Sequence, residues 1–253
     1  MTKKEVLKFL RRAEGEPISG EELSIQIGVS RTAVWKHIQV LKEEGYQITA
    51  QPGRGYSLQK VPDLLLPEEI KQYLRNGKLG SYIEHHFELK TTNDRAKVLA
   101  SEGIEEGAIV VAESQQLGKG RLGRRWFSPE GTGIYLSVIF RPPFPPEGAG
   151  GFTLLGAVAL AEAVFKITGL RAGIKWPNDL LLGKKKFAGI LTEMKGEMDR
   201  IHSLILGVGI NVNTDPLDFP EEIKDNAISI KEVLGKDLCR AELLGAFLIA
   251  LEE

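Results

Sequence analysis

The sequence is poor in the residues that build several common kinds of active site. Its 253 residues include one cysteine, Cys239, so an internal disulfide framework is excluded and a reducing compartment is expected. No cysteine or histidine residues have the spacing of a metal site, and no serine, histidine and acid triad is readable. For an enzyme with this composition, the catalytic means left open are the positioning of substrates and the neutralisation of charge.

Targeting signals and strong charge are also lacking. The first residues, MTKKEV, contain no apolar segment of a signal peptide, and no run approaches the roughly 18 apolar residues that a bilayer requires. A cytoplasmic protein with no membrane partner is therefore expected. The net charge is only −1, but residues 1–60 hold ten Lys/Arg against seven Asp/Glu. That excess permits DNA binding without demanding it.

Residues 1–60 have the pattern of a winged helix-turn-helix. Apolar residues at helical spacing predict helices at 3–13, 21–27 and 30–44, and a glycine turn precedes the third. Two short strands around a Pro/Gly turn, residues 46–58, then predict a wing. A three-helix protein-interaction module is the alternative. The residues predicted to contact DNA are Arg31, Thr32, Trp35, Lys36, Gln39 and, on the wing, Arg54.

Residues 61–66 are predicted to be a linker, and residues 67–253 a second domain of helices and strands. The strands around residues 108–114 and 134–141 are joined by a basic loop, and an arrangement of strand, loop and strand indicates a mixed sheet. Residues 152–168 are apolar nearly all round and are predicted to be the central buried helix. Residues 240–251 are predicted to be a final amphipathic helix.

The stretch GKGRLGRRW, residues 118–126, combines three glycines with four cations. Glycine lets backbone N–H groups approach phosphate oxygens, and arginine offers them bidentate donors. The glycine spacing matches the dinucleotide-binding fingerprint, but no helix follows at once and no acid stands about 20 residues downstream. The stretch is therefore predicted to close over a bound nucleotide. A solvated basic loop is the alternative.

Three further polar groups stand at the ends of predicted strands. Residues 91–93, Thr-Thr-Asn, lie at a strand-to-helix junction, where helix capping is the structural alternative. The pair Asn178–Asp179 offers an amide beside a carboxylate, which suits Mg²⁺ and a nucleotide, and a simple turn is the alternative. Lys186 begins a returning strand after a lysine-rich turn, and such runs are commonly just solvated.

Taken together, these motifs resemble those of the bifunctional biotin protein ligases that also repress biotin synthesis genes. The resemblance rests on the basic loop, on AESQQ before it, on WFSP at its end and on KWPND at 175–179, and it runs from about residue 3 to the C-terminus. It implies an α+β fold whose catalytic domain is similar to class II synthetases. It also implies ATP, biotin and Mg²⁺ as ligands. The implied partners are the biotin carboxyl carrier protein of acetyl-CoA carboxylase, operator DNA, and a second copy of the chain once the adenylate is bound.

Roles are expected at the matched positions. Catalysis is assigned to Arg121 and Lys186, and Asp179 is the candidate magnesium ligand. Biotin binding is assigned to Thr91, Thr92, Asn93, Gln115, Gly118, Lys119, Gly120, Arg121, Lys186 and Gly189. Nucleotide binding is assigned to Arg121, Arg124, Trp126, Asn178, Lys186 and Asn211.

The sequence departs from the family pattern in two places. Lys119 stands where many relatives have arginine, which keeps the charge but loses the bidentate fork. The small β domain that usually follows the last helix is not in the sequence, so a truncated chain or an enzyme that works without it is expected. Two alternatives remain open: a ligand-sensing transcription factor with an inactive ligase domain, and a lipoate-type ligase, for which a long apolar tunnel is expected.

Overall fold

The protein is described from a computed structural model, which covers residues 2–75, 77–197 and 199–253. The chain divides into two compact units, Met1–Asp63 and Leu64–Glu253. Each unit has buried apolar residues of its own.

The first unit contains three helices followed by a two-stranded antiparallel hairpin. Its elements are α1 (Thr2–Arg12), α2 (Gly20–Ile27), α3 (Arg31–Glu43), β1 (Gln47–Gln51) and β2 (Gly55–Lys60). Gly28 ends α2 in the left-handed conformation that glycine adopts most readily, and Ser30 begins α3 by accepting the N–H of Ala33. The helix-turn-helix is therefore fixed by local turn and capping chemistry.

Helix α3 presents the predicted polar face to solvent. Val34, Ile38 and Leu41 are fully buried, as their spacing predicts. The residues assigned to DNA lie on the other side: Arg31, Thr32, Trp35 and Lys36 are exposed, Gln39 is half-buried, and Arg54 is exposed in the hairpin turn. An exposed tryptophan, with about half of its surface open to water, leaves a large apolar side chain without a core role in this unit.

The second unit is built on a seven-stranded sheet. Its helices are α4 (Pro67–Lys71), α5 (Thr92–Ser101), α6 (Gly150–Thr168), α7 (Ile230–Leu234) and α8 (Arg240–Glu252). Its strands are β3 (Ile83–Leu89), β4 (Ile109–Gln115), β5 (Gly133–Phe140), β6 (Gly173–Lys175), β7 (Asp179–Leu182), β8 (Lys185–Gly196) and β9 (Ile201–Asn211). The strand order is β3-β4-β5-β9-β8-β7-β6. Among the seven strands that the structure describes, β3 and β4 are the one parallel pair, so the prediction of a mixed sheet is confirmed.

Strand alternation gives the sheet two different faces. Along β9, Leu204, Leu206, Val208 and Ile210 belong to the large core that also contains residues of α6 and α8. Ile205 points to the other face and packs with Ala96 and Leu99 of α5. Gly207, Gly209 and Asn211 follow Ile205 at every second position and so share its face. The face that carries α5 is therefore the one on which glycines leave room.

Helices α6 and α8 differ from their predicted burial: α8 is the more buried of the two, and α6 has an exposed side. Helix α8, predicted to be amphipathic, is buried nearly all round, because it packs against both α4 and α6. Helix α6, predicted to be the central buried helix, leaves Leu154, Leu155, Val158 and Phe165 between 40% and 50% exposed. Both predictions were wrong for the same reason: an apolar sequence does not reveal how many sides of a helix receive partners.

The same helix bears on the expectation about membranes. In the part of the chain that the structure describes, one helical stretch, Pro146–Thr168, has the length and hydropathy of a membrane span, contrary to the expectation from the sequence. Helix α6 lies on the sheet beside α8, with Ala157, Leu160 and Val164 fully buried. One face of α6 therefore belongs to the core of the second unit, and its other face is open.

Glu84 of β3 ties that edge strand to α5. The Arg95 guanidinium donates to both Glu84 oxygens, at 2.6 and 3.0 Å, and this bond, with His86 nearby, lowers the pKa of Glu84 from 4.5 to about 2. A carboxyl whose pKa is lower in the folded state stabilises it above the ordinary pKa, and that contribution is lost as pH falls through about 2. Urea unfolding of Glu84→Gln should therefore lose less stability between pH 5 and pH 2 than the parent protein. Equal losses would contradict the assignment.

Candidate active site

A cavity of about 540 Å³ opens on the sheet face that carries α5. Its walls come from the start of α5, the end of β4, the basic loop, and the middle of β7, β8 and β9. Nearly all the residues predicted for the site line this one cavity: Thr91, Thr92, Asn93, Gln115, Lys119, Gly120, Arg121, Arg124, Trp126, Asn178, Asp179, Lys186, Gly189 and Asn211. Gly118 is the exception, since it lines an adjoining open cleft along the loop.

Three glycines form the floor of the cavity, and the side chains of Asn93 and Trp126 occupy the space that a Cβ on these glycines would fill. The Asn93 amide lies directly on Gly207, so that a Cβ at this glycine would collide with it. The Trp126 indole lies over the paired glycines Gly189 and Gly209, and a Cβ on Gly209 would stand 2.5 Å from the ring. Any side chain at these strand positions would therefore displace the two groups that cover the floor.

The polar end of the cavity is held by α5 and β4. Thr91 begins α5 by accepting the N–H of Asp94 at 2.9 Å, so its hydroxyl has the capping role that was the structural alternative. Thr92 donates its backbone N–H to Gln115 Oε1 at 2.8 Å, which turns the Gln115 amide nitrogen toward the Ser128 hydroxyl at 3.1 Å. Thr92 and Asn93 are about 95% buried, so their polar groups are desolvated and fixed.

The basic loop folds back on itself instead of leading into a helix. Gly120 donates to the carbonyl of Arg124, and Trp126 donates to that of Gly118, as in a hairpin. Between them Leu122 has a positive φ of 57° and is 90% exposed. A bulky residue other than glycine is strained in that left-handed conformation, and such strain is typical of ligand clamps and switch segments.

Lys119 and Arg121 reach from this loop to the cavity wall. Lys119 Nζ lies 2.8 Å from Asp94 Oδ2, and Arg121 Nη1 lies 3.4 Å from Asn178 Oδ1. Burial alone would raise the pKa of Asp94, but the hydrogen bonds from Lys119 and Thr91 outweigh it and lower the pKa. The hydrogen bond to Asp94 in turn raises the pKa of Lys119. Both groups are therefore charged at neutral pH.

Lys186 is one of the cations that line the cavity. Its Nζ lies 2.6 Å from Asp179 Oδ1 and 5.2 Å from the centre of the Trp126 ring. The Lys186 backbone is bonded on both sides, to the carbonyl of Asn226 and to the N–H of Ile228. The ammonium therefore lies between a carboxylate and an aromatic face, with a third of its side chain exposed.

Several residues that line or support the cavity were not predicted as site residues. The cavity is also lined by Ile223, Asn226 and Ala227, because Ala227 forms a parallel β-bridge with Lys186. The sequence carries no signal for that contact. Ser137 and Glu193 hold Asn93 from below and from the side, at 2.6 and 2.7 Å. A polar residue within an apolar strand, as Ser137 is in β5, was the available signal.

Comparison with known proteins agrees with this geometry. Residues 87–211, which contain most of the cavity, match the Biotin/lipoate A/B protein ligase family, and residues 2–57 match a helix-turn-helix domain. A biotin protein ligase from Aquifex aeolicus, solved in complex with biotin and ATP, superposes with a TM-score of 0.60 at 35% identity over 68% of each chain. The second unit therefore has the fold of a biotin or lipoate ligase.

Sequence relatives define the family to which the chain belongs. The bifunctional ligase/repressor BirA of Bacillus subtilis is 42% identical over 251 residues, which is 99% of this chain and 77% of that protein. The biotin–[acetyl-CoA-carboxylase] ligase of Mycobacterium tuberculosis is 34% identical over 181 residues, 68% of this chain and 65% of that protein. The chain belongs to the family of bifunctional ligase/repressors. The α+β fold and the prediction of a biotin ligase that is also a repressor are confirmed by that membership.

Proposed function

We propose that the cavity joins biotin to AMP and then passes biotin to a protein lysine. In the first step a biotin carboxylate oxygen attacks the α-phosphorus of ATP, the bond from that phosphorus to the β-phosphate oxygen breaks, and pyrophosphate leaves. In the second step a lysine amine attacks the acyl carbon of biotinyl-5′-AMP, AMP leaves, and the nitrogen loses a proton. The acceptor is the biotin carboxyl carrier protein of acetyl-CoA carboxylase.

The observation that carries this proposal is the order of groups along the cavity. Amides and hydroxyls at Thr92, Asn93 and Gln115 form one end, and Lys186 lies across the glycine floor beside Trp126. A ligand with a small polar ring and an apolar tail ending in a carboxylate fits such a path, since its ring meets hydrogen-bonding groups and its carboxylate meets a cation. A lipoyl ring offers no N–H groups to the polar end.

Charge neutralisation is the catalytic contribution assigned to Arg121 and Lys186. A carboxylate and a triphosphate repel each other, and cations placed between them lower the cost of their approach. Lys186 is held in place by its backbone bonds and by Asp179. Arg124 also lines the cavity, and we assign it to the phosphates together with Asn178. Trp126 and Asn211 complete the proposed nucleotide site.

Magnesium fits this cavity only as an ion that arrives with the nucleotide. Among the residues that the structure describes, no group of three or more His, Cys, Asp or Glu side chains is placed to hold a metal. Asp179 supplies one carboxylate, with the Asn178 amide next to it, and Mg²⁺ commonly takes one or two carboxylates and completes its shell with phosphates and water. When bound there, the ion would neutralise phosphate charge.

The basic loop is proposed to close over the adenylate. A mixed anhydride reacts with water, so a loop that covers it protects the intermediate until the acceptor arrives. The strained, exposed Leu122 at the tip gives the loop a conformation that a ligand can replace with a relaxed one. The same ordering is proposed to favour a homodimer, which then binds a two-half-site operator in the cytoplasm.

Adenylate formation tests the ligase proposal. The protein is incubated with ATP labelled at the α-phosphate and with either biotin or lipoate. We expect labelled biotinyl-5′-AMP and only background label with lipoate. A labelled lipoyl adenylate would favour the lipoate-type ligase, and binding of biotin without any adenylate would favour the ligand-sensing repressor with an inactive ligase unit.

DNA binding by α3 has its own test. Lys36 is exposed on the face of α3 that turns away from the core, and we assign it to a phosphate contact. Replacing it with alanine should weaken binding to a random-sequence duplex and reduce the slope of log K against log salt by about 1. Lys42→Ala, an exposed lysine in the last turn of α3, is the matched control. Equal slopes for all three proteins would contradict the assignment.

A further inference from the structure

A chain of five hydrogen-bonded side chains runs beneath the polar end of the cavity. Ser137 of β5 is fully buried, and its Oγ lies 2.8 Å from Thr92 Oγ1 and 2.6 Å from Asn93 Oδ1. The Asn93 amide nitrogen donates to Glu193 Oε2 at 2.7 Å. The other oxygen of Glu193 accepts from Lys97 Nζ at 2.6 Å. The chain therefore starts at an ion pair on the rim and ends at a hydroxyl in the cavity wall.

The chemistry of these groups fixes the direction of every hydrogen bond. An ionised carboxylate only accepts, so the Asn93 nitrogen must face Glu193 and the Asn93 oxygen must face Ser137. An amide oxygen also only accepts, so the Ser137 hydroxyl donates its single proton to the Asn93 oxygen. By geometry alone Ser137 could donate both to Asn93 and to Thr92. Its hydroxyl has only one proton, which the Asn93 oxygen requires, so Thr92 must donate the contact between the two hydroxyls.

That direction decides what Thr92 shows to a ligand. Its hydroxyl proton has one other acceptor nearby, Gln115 Oε1, but that contact is longer, at 3.3 Å. With its proton directed at Ser137, Thr92 Oγ1 presents only lone pairs to the cavity. Thr92 Oγ1 therefore acts toward a ligand only as a hydrogen-bond acceptor. A threonine hydroxyl without these neighbours could both donate and accept.

We propose that Glu193 and Ser137 are positioning residues that hold Thr92 Oγ1 as a hydrogen-bond acceptor and so select a ligand ring bearing N–H donors. The proposal rests on the proposed function, in which that ring is the cyclic urea of biotin. Neither residue needs to touch the ligand. Glu193 sets the direction, Asn93 and Ser137 transmit it, and the glycine at 207 leaves Asn93 the space to do so.

Calorimetry with paired variants and paired ligands tests this inference. Ser137→Ala frees the Thr92 proton, and Glu193→Gln permits the Asn93 amide to turn over, so both variants should bind biotin about tenfold more weakly. Biotin methylated on its ring nitrogens cannot donate, so the same variants should bind it with affinities close to that of the parent protein. The Km for ATP should stay unchanged. Lys97→Met, which keeps the carboxylate and its bond to Asn93, should bind biotin within about twofold of the parent.

The outcomes separate this inference from the ligase proposal. A parent protein that does not bind biotin would overturn both. A parent that prefers biotin to its methylated form, with variants that retain the full preference, would overturn the positioning role alone. Variants that lose affinity for both ligands and for ATP to the same degree would show a general structural defect, and would also count against the selective role.

Discussion

Lys186→Met is expected to slow the formation of biotinyl-5′-AMP by about 10²–10³-fold, the loss typical when one preorganised group that stabilises developing charge is removed. The ammonium would be replaced by an apolar chain of similar length, and Asp179, now 2.6 Å from that ammonium, would lose its partner. A cation at the point where carboxylate and phosphate meet would thus give way to a net negative charge. Single-turnover measurement with saturating biotin and ATP isolates this step from product release.

Lys185→Met is the matched control for that experiment. Lys185 precedes Lys186 on β8 and is also half-buried, but it does not line the cavity. We expect this variant to react within about twofold of the parent rate, since Lys185 does not line the cavity and its charge is partly screened by solvent. Equal losses for the two variants would mean that the lysine-rich turn acts only through its overall charge, which would contradict the role assigned to Lys186.

Arg240→Met is expected to lower the free energy of unfolding by about 3–5 kcal/mol, because it leaves a buried carboxylate without its cation. Arg240 and Glu113 are both fully buried and 2.8 Å apart, and Arg240 also donates to the carbonyl of Gly133. Burial would raise the pKa of Glu113, but the His85 hydrogen bond, the Arg240 charge and the Leu65 N–H together lower it. Urea unfolding at neutral pH measures the loss.

Two comparisons make the Arg240 result specific. Arg75→Met removes a guanidinium that is 71% exposed and paired with an exposed Glu253, and we expect a loss below about 0.5 kcal/mol. Adding Glu113→Gln to Arg240→Met should recover part of the stability, because an amide costs less to bury than an unpaired carboxylate. A loss for Arg240→Met no larger than that for Arg75→Met would contradict the account of this pair.

The sequence supported predictions best where local chemistry decides the structure. Ser30 and Gly28 fix the ends of the helix-turn-helix by capping and by a positive φ, so both could be read directly. The alternation along β9 likewise indicates which residues face the core, and it leaves Gly207 and Gly209 on the opposite face. The basic loop could be separated from a dinucleotide fingerprint because no helix follows it.

Long-range pairing was beyond what one sequence reveals. The burial of α8 depends on α4 and α6 packing against it, and its own residues do not say so. Glu113 and Arg240 form an ion pair although they are 127 positions apart in the sequence. The residues next to either one give no indication of the pairing. Ser137 and Glu193 stand on different strands, and they support Asn93 only because β5, β9 and β8 are neighbours in the sheet. Such residues become visible only once the register is known.

Transfer of biotin to an acceptor tests the central claim most directly. Biotinyl-5′-AMP is first formed from biotin and α-labelled ATP, and the isolated biotin-accepting domain of a carrier protein is then added, with an acceptor in which the target lysine is arginine as the control. We expect the adenylate to disappear, AMP to be released, and the acceptor to gain one biotin on that lysine, with the control acceptor unmodified. An adenylate that persists with acceptor present, or that never forms, would contradict the claim that this cavity is a working biotin ligase site.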